Sequence, residues 1–242
     1  MQCVILAGGL GTRMRPLTAY VPKTLLPVLG RPFAGHQLQW LTGQGVTSVV
    51  YCIGFLGDQV RAFAGDGSRW GLKISYVDEG PRLMGTGGAV RLALDAGVLE
   101  SAFLVLYGDS YLSADVLPVW QASEGGRLPV MAVLRNDGRW DASNAIFCDG
   151  RVLRYEKGRA DAGSIGMHYI DYGLSVLPRA IIAETVPSDR AYDLAVLYSE
   201  LSRRGLLRGV EVHRRFYEIG SPAGLRELEE HLQSVADPVE WD

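Results

Sequence analysis

Along most of this chain, short apolar runs alternate with stretches whose apolar residues recur at helical spacing. Cys3–Leu6, Val46–Ile53, Leu72–Val77, Ala102–Tyr107 and Pro129–Leu134 are almost wholly apolar, and several are rich in β-branched residues. Strands covered on both faces have this composition, because neither face meets water. Between them, Pro32–Gln44, Leu56–Ala64, Gly88–Ala96 and Asp115–Ser123 read as helices. Strand, helix, strand in that order predicts a parallel sheet with right-handed crossovers.

From about Trp140 the pattern changes. Asn144–Cys148 and Arg151–Tyr155 flank Asp149-Gly150 and read as a hairpin with its turn. Gly166–Val176 reads as another pair of β-rich runs. A helix over Tyr192–Arg203 precedes strand-like Gly209–His213 and Arg215–Ile219. Ser221-Pro222 opens a last helix to about Leu232, with Ser as N-cap and Pro in the first turn. Residues 236–242 read as a loose acidic tail. The expectation is one α/β domain over 1–235, with a Rossmann-like, mostly parallel central sheet flanked by helices. A first part over 1–135 and a mixed β part over 136–235 share it, and no repeat or low-complexity tract divides them.

Composition removes several classes of partner. Lys+Arg 24 against Asp+Glu 27 leaves a net charge of -3, with no basic tract for nucleic acid or an anionic membrane. No apolar run approaches the ~18 residues of a membrane span. The apolar N-terminus stops at Gly8 without a basic flank, so a secretory leader is not expected. Cys3, Cys52 and Cys148 are scattered and odd in number, which suits small buried hydrophobes in a reducing, cytoplasmic setting. The four histidines have no metal-ligand spacing, and no nucleophile-elbow motif occurs.

The densest chemical signal follows the first apolar run. Leu6-Ala7-Gly8-Gly9-Leu10-Gly11-Thr12-Arg13-Met14-Arg15 breaks the strand into a glycine loop, two arginines lie in it, and Pro22-Lys23 stands close behind. Amides freed by glycine can close around phosphate oxygens, and fixed cations can neutralise them. The spacing is not that of a P-loop, since no Gly-Lys-Ser/Thr step completes it. Nor is it a dinucleotide fingerprint, because Met14 stands where the third glycine would be.

The whole stretch LAGGLGTRMRPLT followed by PK resembles the N-terminal signature of the sugar-phosphate nucleotidyltransferases. The match holds at Gly8, Gly9, Gly11, Thr12, Arg13, Pro16, Leu17, Thr18, Pro22 and Lys23 together. That resemblance implies a glycosyltransferase-A-like nucleotidyltransferase fold, with 1–135 as its nucleotide-binding part and 136–235 as its sugar-binding part. It assigns Leu6, Ala7, Gly8, Gly9, Gly11 and Thr12 to the nucleotide, with Gly85, Thr86 and Gly87 beside the base and ribose. Asp109, in Tyr107-Gly108-Asp109-Ser110, resembles the family's metal-binding aspartate at a strand end. Glu156-Lys157 resembles the pair that meets sugar hydroxyls and the sugar's phosphate. Asn144 and Asp171-Tyr172-Gly173 fall in the sugar-contacting segments. Phe216–Pro222 resembles the family's Trp-x-Asp-x-Gly-Thr-Pro step, with Glu218 where Asp is usual, as second ligand of Mg²⁺.

The implied reaction joins a nucleoside triphosphate to a sugar 1-phosphate and releases pyrophosphate. Its nucleophile, a phosphate oxygen with pKa near ~6, needs no general base at neutral pH. Arg13 is expected on the β and γ phosphates and the departing group, and Lys23 on the α-phosphate or the incoming phosphate. The chain looks most like short enzymes that use GTP with D-glycero-D-manno-heptose or mannose 1-phosphate. An alternative is a uridylyltransferase for an amino-sugar 1-phosphate such as N-acetylmuramate 1-phosphate. A reading of another class is a non-catalytic regulator that binds nucleotide sugars. A homo-oligomer stays open.

Overall fold

The apolar runs become the strands of one sheet. In this computed structural model residues 1–235 are described, and the expected tail at 236–242 lies outside them. The chain runs β1 (Gln2–Leu6), β2 (Pro27–Val28), β3 (Arg31–Pro32), α1 (Phe33–Gly43), β4 (Ser48–Ile53), α2 (Gly57–Ala64) and β5 (Lys73–Asp78). It continues through α3 (Gly85–Asp95), β6 (Ala102–Tyr107), β7 (Ser110–Tyr111), α4 (Leu117–Ala122), β8 (Val130–Arg135), β9 (Ala145–Cys148) and β10 (Arg151–Tyr155). Then follow β11 (Tyr169–Pro178), α5 (Arg179–Thr185), α6 (Leu194–Arg203), β12 (Arg208–Val212), β13 (Tyr217–Glu218) and α7 (Pro222–Val235).

The main sheet has the order β5-β4-β1-β6-β11-β8-β12-β10-β9. β5, β4, β1 and β6 are mutually parallel, and β12 is parallel to β8. β11 runs against both its neighbours, and β10 against β12 and β9. Both parts of the chain share this sheet, because β11 from the second part is inserted between β6 and β8 from the first.

Alternation along the strands feeds two core layers. Cys3, Ile5, Tyr51, Ile53, Leu104 and Leu106 pack on one face with Leu38 and Leu41 of α1 and Val60 of α2. Val4, Val50, Cys52, Phe103 and Val105 pack on the other with Val90 of α3 and Leu194 and Leu197 of α6. Burial on both faces is why these runs carry so few polar positions. A third cluster, with Met14, Leu26, Phe33, Ile219 and Leu228, seats α7 against the loop after β1. No helix of the described residues is long and apolar enough to cross a membrane.

The structure departs from the sequence reading in four places. Gly166–Val176 is not a pair of runs. It lies largely in the single strand β11, whose register shifts between Asp171 and Ser175 around Gly173 at φ +85°. The glycine that suggests a break is a bulge. Of Arg215–Ile219, only β13 pairs, with β7 and outside the main sheet. α5 follows β11 directly at Pro178, unmarked by any loop signal. α3 begins at Gly85, three residues early, because the Tyr192 carbonyl accepts the amides of Gly87 and Gly88. Asp193 caps α6, its Oδ1 accepting from Ala195 N at 2.9 Å and from the Thr86 hydroxyl at 2.9 Å. Such a cap contributes about 1 kcal/mol and here also ties α3 to α6. Ser221 accepts the Gly224 amide at 3.1 Å, as an N-cap of α7 does.

Candidate active site

Parallel β4, β1 and β6 end at one edge of the sheet, and the glycine loop leaves β1 there. The Ala7 amide donates to Cys52 O at 2.8 Å and the Gly108 amide to Leu6 O at 2.9 Å, which stitches the three strand ends together. The carboxyl edge of an open parallel sheet is where ligands bind. A cavity of about 270 Å³ opens at this edge, lined by Leu6, Ala7, Gly8 and Gly9. Gly85, Thr86, Lys23 and Asp109 also face it.

Other residues assigned to the nucleotide also have partners within the protein. Gly11, at φ +61°, starts the turn that carries Arg13, and its carbonyl accepts from the Thr18 hydroxyl at 2.8 Å. Thr12 opens that same turn. The Gly87 amide is held by Tyr192 O at 2.9 Å, so it serves helix packing. The Thr86 hydroxyl is engaged as well, with Asp193 and with the Leu194 amide at 2.8 Å.

Glu79, which belongs to no recognised motif, and Tyr107, which only flanks the Gly108-Asp109 step, also line the cavity. Glu79 follows β5 directly, its amide donating to Ile53 O at 2.9 Å and its Oε2 accepting from Met84 N at 2.9 Å. Desolvation raises its carboxyl above the ordinary glutamate range. The carboxylate lies against Gly8, and a side chain at that position would have to push it aside. The available sequence signal was an acidic residue just past the end of a predicted strand.

A second cavity, of about 200 Å³, is lined by Arg13, Asp141, Asn144, Lys157, Asp171 and Glu218. Tyr107 borders both cavities, and Tyr172 and Gly173 also face the second. Asn144 fixes the β9–β11 junction, its Oδ1 accepting the Asp171 amide at 2.8 Å. The Tyr172 hydroxyl is occupied by the amides of Ser113 and Ala114, both at 3.1 Å, which makes it a wall of the cavity. Glu156 does not reach the cavity. Arg159 at 2.7 Å and Arg154 at 3.0 Å clamp its carboxylate and lower its pKa. Asp141 and Tyr155 line the cavity unannounced by any motif.

Desolvation pushes the Asp171 carboxyl up to about 6, opposed by the Gly173 amide and by Lys157. In the unfolded chain an aspartate releases its proton near ~3.9. Between those values the native state binds more protons than the unfolded state, so stability falls as pH rises from 4 to 6 and levels off above. The stability of the wild type relative to Asp171→Asn should therefore drop by about 2 kcal/mol across that window in urea titrations. A difference that stays constant from pH 4 to 7 would refute this.

Two cations and two carboxylates meet between the cavities. The Lys23 ammonium forms an ion pair with Asp109. β13 lies antiparallel to β7 with Glu218 opposite Ser110, and the Ile219 amide donates to Asp109 O at 3.0 Å. That short pairing brings Glu218 beside Asp109. Desolvation and then the charge of Asp109 push the Glu218 carboxyl up to about 7, against the pull of Arg13, although the residue keeps an open face to the cavity. Arg13 lies beside Gly220. A Cβ there would be 3.2 Å from the guanidinium and 3.9 Å from Asp109 Oδ2.

Crowded carboxylates with unfilled oxygens are a fitting donor set for a hard divalent cation. Among the described residues, no group of three or more His, Cys, Asp or Glu side chains is gathered to hold a metal. A cation here would rest on Asp109 and Glu218, with phosphate or water completing its shell.

The model of a family described as nucleotidyl transferase matches residues 2–126. A D-glycero-alpha-D-manno-heptose 1-phosphate guanylyltransferase from Aneurinibacillus thermoaerophilus is 24% identical over 237 residues, covering 96% of this chain and 99% of the relative. An N-acetylmuramate alpha-1-phosphate uridylyltransferase from Neisseria meningitidis is 38% identical over 123 residues, covering 51% of this chain and 53% of the relative. The chain spans about half the length of several curated relatives that it matches. Among solved structures, HddC from Yersinia pseudotuberculosis complexed with GMP-PN superposes with a TM-score of 0.77 at 24% identity, over 96% of this chain and 99% of that one. This likeness carries the fold.

Proposed function

Since this chain belongs to the nucleotidyl transferase family, we propose that it joins a nucleoside triphosphate to a sugar 1-phosphate, giving a nucleoside diphosphate sugar and pyrophosphate. The observation that carries the reading is the meeting of Lys23, Asp109, Glu218 and Arg13 where two cavities adjoin. In this reading the loop Leu6–Gly9 and the start of α3 hold the nucleotide. Asn144, Lys157, Asp171 and Gly173 hold the sugar phosphate.

The attacking phosphate oxygen is already ionised at neutral pH, so the chain must supply position and charge more than proton transfer. The absence of histidine from the described lining of either cavity agrees with this. Lys23 neutralises the α-phosphate side, and Arg13 neutralises charge where the two substrates meet. Arg13, expected on the β and γ phosphates and the departing group, faces the second cavity beside Asp109. Asp109 and Glu218 are the residues that would hold Mg²⁺, which when bound supplies positive charge to the phosphates.

The finer reading is GTP with D-glycero-D-manno-heptose 1-phosphate or mannose 1-phosphate. The near full-length match to a heptose 1-phosphate guanylyltransferase supports it. So does Glu79: an ionised carboxylate only accepts hydrogen bonds, and guanine offers adjacent N–H donors on one edge. Uracil sets its single N–H between two carbonyls, which a carboxylate repels.

The test is pyrophosphate release with Mg²⁺, each of GTP, UTP and dTTP, and a panel of sugar 1-phosphates. GTP should give the highest kcat/KM. Preference for UTP would overturn the base assignment. No release with any pair, alongside tight binding of nucleotide sugars, would favour a regulator without catalysis.

A further inference from the structure

Resting on that reading of the second cavity as the sugar side, the charges lining it carry a statement about which sugars it admits. Three acids face it, Asp141, Asp171 and Glu218, against two cations, Arg13 and Lys157. A sugar 1-phosphate brings about 1.5 to 2 negative charges on its phosphate, which engage both cations. Asp141 and Asp171 are then left to face the ring.

Neither acid is a chance neighbour. Asp171 is fixed by the Asn144 carbonyl on its amide and by the Gly173 amide on its Oδ1, each close to 2.9 Å. Asp141 sits on an exposed loop whose backbone is tied down from below. Asn136, 2% exposed, donates to Asp141 O at 2.7 Å and to Ser143 Oγ at 2.9 Å, and its Oδ1 accepts from Trp140 N at 3.1 Å. Asp141 Oδ1 takes only the adjacent Ala142 amide at 2.7 Å, which leaves further lone pairs of the carboxylate for a ligand.

We propose that this cavity selects sugar 1-phosphates whose ring carries hydroxyls and no acidic group, and that Asp141 and Asp171 are the residues that set this preference. Ring hydroxyls donate to the two carboxylates. A carboxylate on the sugar meets like charge while both lining cations are engaged by the phosphate, and such a repulsive element discriminates between otherwise similar ligands. The inference separates the heptose and mannose readings from N-acetylmuramate, whose lactyl group is acidic.

The experiment compares matched pairs by calorimetric binding and by pyrophosphate release. The pairs are mannose and mannuronate 1-phosphates, and N-acetylglucosamine and N-acetylmuramate 1-phosphates. The neutral member of each pair should bind at least tenfold tighter. Asp141→Asn and Asp171→Asn should each narrow that ratio fivefold or more, chiefly by improving the acidic member. A merely structural role would weaken both members alike and leave the ratio unchanged. Equal affinity within both pairs, or a ratio that neither variant moves, overturns the inference. Neutral preference in binding without turnover of any sugar would sink the catalytic reading and leave this one standing.

Discussion

Asp109→Asn should lower pyrophosphate release by about 10² to 10³-fold while leaving a folded protein, the scale seen when a charge-stabilising group is lost from an active site. The side chain is 18% exposed and Lys23 is 21% exposed, so their ion pair belongs neither to the surface nor to the deep core. Asparagine still accepts a hydrogen bond from Lys23, which keeps the cost to stability near about 1–2 kcal/mol. The contact that aligns β13 uses the Asp109 carbonyl and survives the change. Thermal unfolding within a few degrees of wild type, with activity lost at saturating Mg²⁺, is the expected pair of results. Near-normal turnover would remove Asp109 from the metal-binding role.

The second large effect is expected from Arg13→Ala. No ion pair among the described residues holds this exposed side chain, so its loss costs the fold little. Its guanidinium nonetheless stands beside Gly220 and Asp109, facing the second cavity. kcat should fall about 10² to 10³-fold, because charge neutralisation at the reacting phosphates is lost. Arg13→Lys should recover only part of the rate, since an ammonium keeps the charge and loses the planar fork. Saturation curves for each substrate distinguish the roles. A rise in KM for the sugar phosphate alone, with kcat intact, would make Arg13 a sugar-phosphate clamp and remove it from charge stabilisation at the reacting centre.

Much of this site was legible in advance. The glycine loop declares itself because glycines, arginines and a lysine recur at fixed spacing directly after an apolar run. Asp109 was legible by the same logic, standing two residues past the strand Ala102–Tyr107. Glu79 and Asp141 were not, for a physical reason. Glu79 is placed by its amide bond to Ile53 O on a distant strand, and Asp141 by a loop held by the Asn136 side chain, whose own backbone is anchored to the distant His168 O. Glu156 shows the reverse. Its motif pointed to the sugar, but two arginines within three residues capture the carboxylate first.

The sequence by itself determined the alternation of strands and helices, the two-sided burial of the sheet and the position of the glycine loop. These depend on periodicity and on residue type within a few positions, and local stereochemistry reads both directly. Tertiary structure alone decided that β11 enters antiparallel between β6 and β8. It also decided that two residues of β13 pair with β7 to set Glu218 beside Asp109. Such pairings join segments far apart along the chain, more than a hundred residues for Glu218 and Ser110, and depend on the register of packed faces, which no local pattern encodes.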